Sequence, residues 1–186
     1  QVSACTAPAA EGMVVASESE PIQSLRRSIL QMLFVEGNHV CPACEASGNC
    51  QLQAVAYYTG MLAPHFTHFF PRRPVDASLP EAVIDFDRCI LCELCVRASR
   101  DHDGKRVFAI SGRGLESHLV IDSESGLLGD SRFEVTDRAA HVCPTGAILP
   151  KHSGYETPVG QRFYDREPIS TVGDRQANLA QAGEGD

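Results

Sequence analysis

Residues 88–96 read Arg-Cys-Ile-Leu-Cys-Glu-Leu-Cys-Val, so Cys89, Cys92 and Cys95 stand at even x2 spacing on one short loop, and Cys143-Pro144 follows much later. Three thiolates on such a loop can converge on three corners of an iron–sulfur cube. A distant Cys-Pro can close the fourth, with the proline turning the chain away. A second group lies upstream, Cys41-x2-Cys44-x5-Cys50, with His39 just ahead of it. Each group offers four ligands, the number that one [4Fe–4S] cluster needs. Seven of the eight cysteines are thereby placed, and Cys5 is left over.

Two rival readings of the cysteines are weaker. Four disulfides would suit a secreted scaffold, but closely spaced C-x2-C-x2-C runs suit metal binding. Zinc shares the C-x2-C pair, yet a zinc ribbon repeats that pair. Here three even cysteines are completed by one distant Cys-Pro, as in bacterial ferredoxins. A two-cluster ferredoxin would carry a cysteine four residues after Cys95, where Ser99 stands. Its matching run would fall on Phe133, Thr136 and Ala139. This half is therefore expected to hold a single [4Fe–4S] cluster.

The first group has three cysteines, and His39 is the nearest side chain to fill the open corner. His141, beside Cys143, is a weaker candidate. A neutral imidazole in place of a thiolate makes a cluster less negative, which by charge alone raises its potential. His65 and His68, flanked by Pro64 and Pro71, read as surface or packing histidines. Cys5 is either a buried thiol or the last ligand of a cluster whose other three cysteines lie upstream. The opening Gln1-Val2-Ser3-Ala4-Cys5 favours the second, because it reads as the end of something.

Composition narrows the function classes. With 24 acidic and 16 basic residues the net charge is −8, which argues against a general affinity for nucleic acid. No apolar run approaches the roughly 18 residues of a membrane span. The N-terminus lacks the basic-then-apolar pattern of a secretory leader, so a cytoplasmic location is expected. No glycine-rich dinucleotide fingerprint occurs, and Gly112-Arg113-Gly114 reads as a hairpin turn. The expected role is conduction, with no catalytic residue on this chain.

The expected fold class is α+β, built of ferredoxin-like iron–sulfur domains. Residues 1–18 read as a domain remnant, with Val14-Val15 as a last strand. Residues 19–80 read as a helical His/Cys cluster domain. Its first helix is capped by Ser19, carries Leu25, Ile29, Met32 and Leu33 at helical spacing, and ends at Gly37-Asn38. A short helix from Gln51 to Tyr58 follows the cysteine loop, and residues 61–82 read as irregular. Residues 81–165 read as a ferredoxin-like domain. It comprises a strand from Ala82 to Phe86, a helix from Leu94 to Arg100, a hairpin of Val107–Ser111 with His118–Ile121, and a helix from Arg132 to His141. Residues 166–186 read as a polar tail.

With these residues in hand, a resemblance is visible. The pattern His-Cys-x2-Cys-x5-Cys, then Cys-x2-Cys-x2-Cys and a distant Cys-Pro, resembles the N-terminal part of the large iron–sulfur subunit of respiratory NADH:quinone oxidoreductase (complex I). It is closer to the small diaphorase (gamma) subunit of soluble NAD-reducing [NiFe] hydrogenase. Phe34 to His39, Cys44 to Gln53, Arg88 to Val96, Cys143 to Ile148 and Gly154 to Gly160 carry the likeness, which covers nearly all of residues 1–165. His39 stands two residues before Cys41, as in the hydrogenase subunit. The resemblance implies an electron-transfer subunit between a flavin subunit that handles NAD(H), with FMN and NAD bound there, and the small subunit of a hydrogenase module. It also implies an N-terminal plant-type [2Fe–2S] domain, largely absent from this chain, with Cys5 as its last ligand. The matching subunit of an NAD-linked formate dehydrogenase, an [FeFe] hydrogenase or complex I is the alternative, and a zinc-bound structural module is the alternative from another class.

Overall fold

The computed structural model describes residues 2–4, 6–152, 158 and 160–166. Cys5, most of the Gly154–Gly160 stretch and the expected tail from residue 167 onward lie outside the described residues.

Helix α1 (Glu20–Glu36) starts where expected, with Pro21 in its first turn. Ser19 occupies the cap position, but its side chain makes no capping bond. Its carbonyl instead accepts the amides of Ile22 and Gln23 at 3.0 Å. Of the stripe that its apolar spacing suggested, only Leu33 packs on the core. Leu30, Phe34 and Val35 are buried, whereas Leu25, Ile29 and Met32 are about half exposed. The helix carries two apolar stripes, and the small core beneath it accommodates only one.

Helix α2 (Gln51–Tyr58) packs against α1. A core of Leu30, Phe34, Ala46, Leu52, Ala56 and Met61 fills the space between them, with Cys50 part of it. Between the helices the chain makes a 3-10 turn at Cys41–Ala43.

Residues 75–150 form a second core under two small antiparallel sheets. In the first sheet β2 (Ala82–Asp85) lies between β1 (Val75–Asp76) and β5 (Ile148–Pro150). The second is a hairpin of β3 (Phe108–Ser111) and β4 (His118–Ile121), joined through Gly112 and a 3-10 turn. Helix α3 (Leu94–Asp101) packs on β3 and on α4 (Arg138–His141), and α5 (Phe163–Arg166) closes the described part. Strands β1 and β5 were not legible in the sequence, because two- and three-residue strands are too short to show alternation.

Two expectations are corrected, and one position gains a role. Val14 and Val15 are exposed, and residues 6–18 contain no strand. The helix expected from Arg132 is confined to Arg138–His141. Asp137 is the reason: its carboxylate accepts the Glu134 amide at 2.9 Å and the Lys105 ammonium at 2.6 Å, which closes a turn ahead of the helix. Asp103 then caps α4 from outside, accepting the amides of Arg138 at 2.9 Å and Ala139 at 3.1 Å. Finally, Ser99 supplies structure at the position of the missing ligand. It is 1 % exposed, and its hydroxyl accepts the Val107 amide at 2.8 Å, tying α3 to the hairpin.

Strand β5 joins the two cores. Neighbouring side chains on a strand face opposite ways, and Ile148 enters the second core while Leu149 packs against the first. Pairing of Ile84 with Ile148 and of Val83 with Leu149 brings the loop after β2 and the segment before β5 to one end of the sheet. Those are the segments that hold Cys89 and Cys143.

Candidate metal centres

Two cavities coincide with the two sets of expected ligands. His39, Cys41, Cys44 and Cys50 all line one, and Cys89, Cys92, Cys95 and Cys143 all line the other. All seven described cysteines are free thiols, which removes the disulfide reading for them. Among the described residues, no three His, Cys, Asp or Glu side chains close on a single metal ion. Zinc, with Zn–S bonds of about 2.3 Å, draws its ligands together round one atom. Here the four candidate ligands of each set line one cavity without closing on a single point.

In the first cavity the loop backbone supplies the thiols and α1 supplies the wall. Phe34 lies 5.5 Å from the His39 ring, centroid to centroid. The Nε2 atom of His39 is buried with no hydrogen-bond partner. An orphaned buried nitrogen is costly, and a metal bond would satisfy it. Burial, and after it the Arg88 guanidinium, holds the imidazole down at about 4, so it is neutral and able to ligate. Gly37 makes the room: a Cβ there would stand 2.8 Å from Nε2 and 2.5 Å from the Asp87 carbonyl oxygen.

In the second cavity the Cys89–Cys95 loop is coiled tightly. Leu91 and Glu93, on either side of Cys92, both adopt left-handed backbone conformations with φ of 54° and 60°. Such residues are uncommon outside glycine, and they cluster where function over-determines the backbone. Alternation of this kind turns amides toward one side and makes a concavity that favours negative charge. Accordingly, the Leu91 amide reaches the Cys89 sulfur and the Leu94 amide the Cys92 sulfur.

The thiols are poor acids by themselves. Burial pushes Cys95 up to about 12 and Cys50 up to about 11, and it also raises Cys41, Cys89 and Cys92. Buried thiolates need a cationic occupant, and metal coordination deprotonates a thiol outright. The donor set therefore fits a cluster of iron ions.

The other histidine candidates lie elsewhere. His141 is exposed and its Nε2 contacts the Val135 carbonyl oxygen at 2.8 Å. His65 and His68 are exposed, and His68 stacks on Phe70. Three residues missed from the sequence help to build the sites. Asp87 is buried and binds the Asn38 side chain at 2.7 Å and the Arg73 amide at 3.0 Å, fixing the His39 loop. Thr145 lines both cavities. Arg88 lines the first. Their only sequence signal is adjacency to a ligand: Asp87-Arg88 precedes Cys89, and Thr145 follows Cys143-Pro144.

A ferredoxin-like fold carrying two such sites defines an iron–sulfur electron-transfer protein of the [4Fe–4S] class. Residues 26–65 match the NADH-ubiquinone oxidoreductase-G iron–sulfur binding region, and residues 83–149 match the 4Fe-4S single cluster domain. The chain is 40 % identical over 167 residues to the gamma subunit of NAD-reducing hydrogenase HoxS of Cupriavidus necator, covering 89 % of this chain and 70 % of that one. It belongs to the family of these hydrogenase gamma subunits. A crystal structure of NAD+-reducing [NiFe]-hydrogenase in the H2-reduced state superposes with a TM-score of 0.84 at 52 % identity, covering 88 % of this chain and 70 % of that one. The mitochondrial 78 kDa subunit of NADH-ubiquinone oxidoreductase of Candida albicans is 30 % identical over 152 residues. That match covers 81 % of this chain but 21 % of that much longer protein.

Proposed function

We propose that the chain conducts electrons between a flavin subunit that handles NAD(H) and a [NiFe] hydrogenase module, through two [4Fe–4S] clusters. His39, Cys41, Cys44 and Cys50 would hold the first, and Cys89, Cys92, Cys95 and Cys143 the second. The observation that carries this is the coincidence of each four-residue set with one cavity. A cluster supplies one-electron transfer at a potential set by its ligands, hydrogen bonds and exposure. The protein's part is to hold the sulfurs, aim amides at them and exclude water.

On this reading residues 19–80 and 81–165 each form one cluster domain, and residues 1–18 end a [2Fe–2S] domain whose last ligand is Cys5. The chain binds no nucleotide and performs no bond chemistry. FMN and NAD sit on the flavin subunit, and the small hydrogenase subunit is the other neighbour. No described helix is long and apolar enough to cross a membrane, and we place the assembly in the cytoplasm.

Cys92→Ser in the assembled complex tests the reading. Electron flow from H2 to NAD+ should be abolished, while NADH oxidation with an artificial acceptor at the flavin subunit continues. Survival of H2-to-NAD+ flow would show that electrons bypass this chain.

A further inference from the structure

Arg88 is the one formally charged side chain, ligands aside, among the described residues that line the first cavity. It belongs by sequence to the second site, being bonded to Cys89. Its backbone stays there, with the carbonyl oxygen accepting the Thr145 hydroxyl at 2.7 Å. Its side chain turns the other way. Two carboxylates aim the guanidinium: Asp85 on Nε at 2.9 Å and Glu45, next to Cys44, on Nη1 at 2.7 Å. The side chain is 17 % exposed. Glu36 and Arg73 also act on His39, but they pair with each other and line neither cavity. Among the residues lining the second cavity, apart from its cysteines, Glu93 alone is ionisable.

A half-buried ion pair is not needed for packing, and replacing one by apolar residues is often neutral for stability. Its placement therefore calls for another account. A fixed positive charge against a cluster stabilises the added electron, and the low dielectric of the site strengthens the effect. We propose that Arg88 sets the reduction potential of the first cluster, and that Asp85 and Glu45 hold its guanidinium in place while moderating its field. Arg88 is thus a positioning residue that tunes one centre and spares the other. The electron enters or leaves with no bond made or broken. The inference rests on the first site holding a cluster, as proposed above.

The test is EPR-monitored redox titration of the anaerobically purified, cluster-loaded protein as wild type, Arg88→Gln, Arg88→Lys and Glu45→Gln. Arg88→Gln leaves two carboxylates unopposed. It should lower the equilibrium constant for reducing the first cluster about tenfold, which for one electron is about 59 mV. Glu45→Gln should shift the same constant the other way, and Arg88→Lys should stay near wild type. The second cluster should move by less than half as much in every variant. A merely structural role would not give opposite signs for Arg88→Gln and Glu45→Gln. Shifts of the same sign, no shift, or an equal shift at both clusters would overturn the proposal. Should Arg88→Gln lose iron, the other two decide it: an unshifted Arg88→Lys with a raised constant in Glu45→Gln supports the proposal, and an unshifted or lowered Glu45→Gln overturns it. Failure of the ligand reading looks different: the wild type itself would then lack the first cluster's iron.

Discussion

The Sγ of Cys50 lies 3.4 Å from the carbonyl oxygen of Pro144, so a cysteine of the first site touches the residue that follows the last cysteine of the second. The same oxygen accepts the amides of Gln51 at 3.0 Å and Leu52 at 3.4 Å, which satisfies the open N-terminus of α2. One peptide unit thus serves both sites, and Thr145 beside it lines both cavities. Gly146, two residues after Pro144, lets this segment approach Ala46 closely. With φ of 67° it adopts a conformation that side chains disfavour, and an added Cβ would stand 2.5 Å from the Cβ of Ala46.

Thr145 is the bolt of this junction. It is 2 % exposed and its hydroxyl donates to the Arg88 carbonyl oxygen. Thr145→Val keeps the shape and strands a partly buried acceptor, which costs about 1 kcal/mol. The temperature at which the visible cluster absorbance is lost should fall clearly, and Thr145→Ser should recover most of it. An unchanged midpoint for Thr145→Val would remove this role.

Gly37→Ala should act through His39. The φ of −108° suits alanine, so backbone strain is not the issue. The new methyl group would press on Nε2 of His39 and on the Asp87 carbonyl oxygen. We expect the loss of about four irons, or a changed EPR signal, at the first cluster only. Full iron with a wild-type spectrum would mean that the loop absorbs the methyl group without moving the histidine.

Asp103 should matter for the second site although it lies outside both cavities. It caps the four-residue helix that leads to Cys143. Asp103→Ala should cost about 0.5–2 kcal/mol, in the range of a lost cap. Hydrogen exchange at Arg138 and Ala139 should rise at the same time. Unchanged exchange there would show that α4 needs no such cap.

The cysteine spacing, His39, the first two helices, the helix after Cys95 and the hairpin were all legible in the sequence, because each leaves a periodic or motif signal. The buried face of α1 was not. Two apolar stripes share that helix, and only packing chose Leu30 and Phe34 over Ile29 and Met32. The helix before Cys143 was overextended for a similar reason. The bonds from Asp137 to Glu134 and Lys105 that shorten it are partly long-range and leave no local pattern. Arg88 and Thr145 were silent too. A charged residue beside a cysteine carries no sign of which cavity its side chain will enter.

Iron, acid-labile sulfide and zinc counted on the anaerobically purified chain would decide whether it holds two cubanes. Two four-iron sites predict about eight irons with matching sulfide and negligible zinc. About four irons would leave one of the two ligand sets without its cluster, and about two zincs without sulfide would contradict electron conduction altogether.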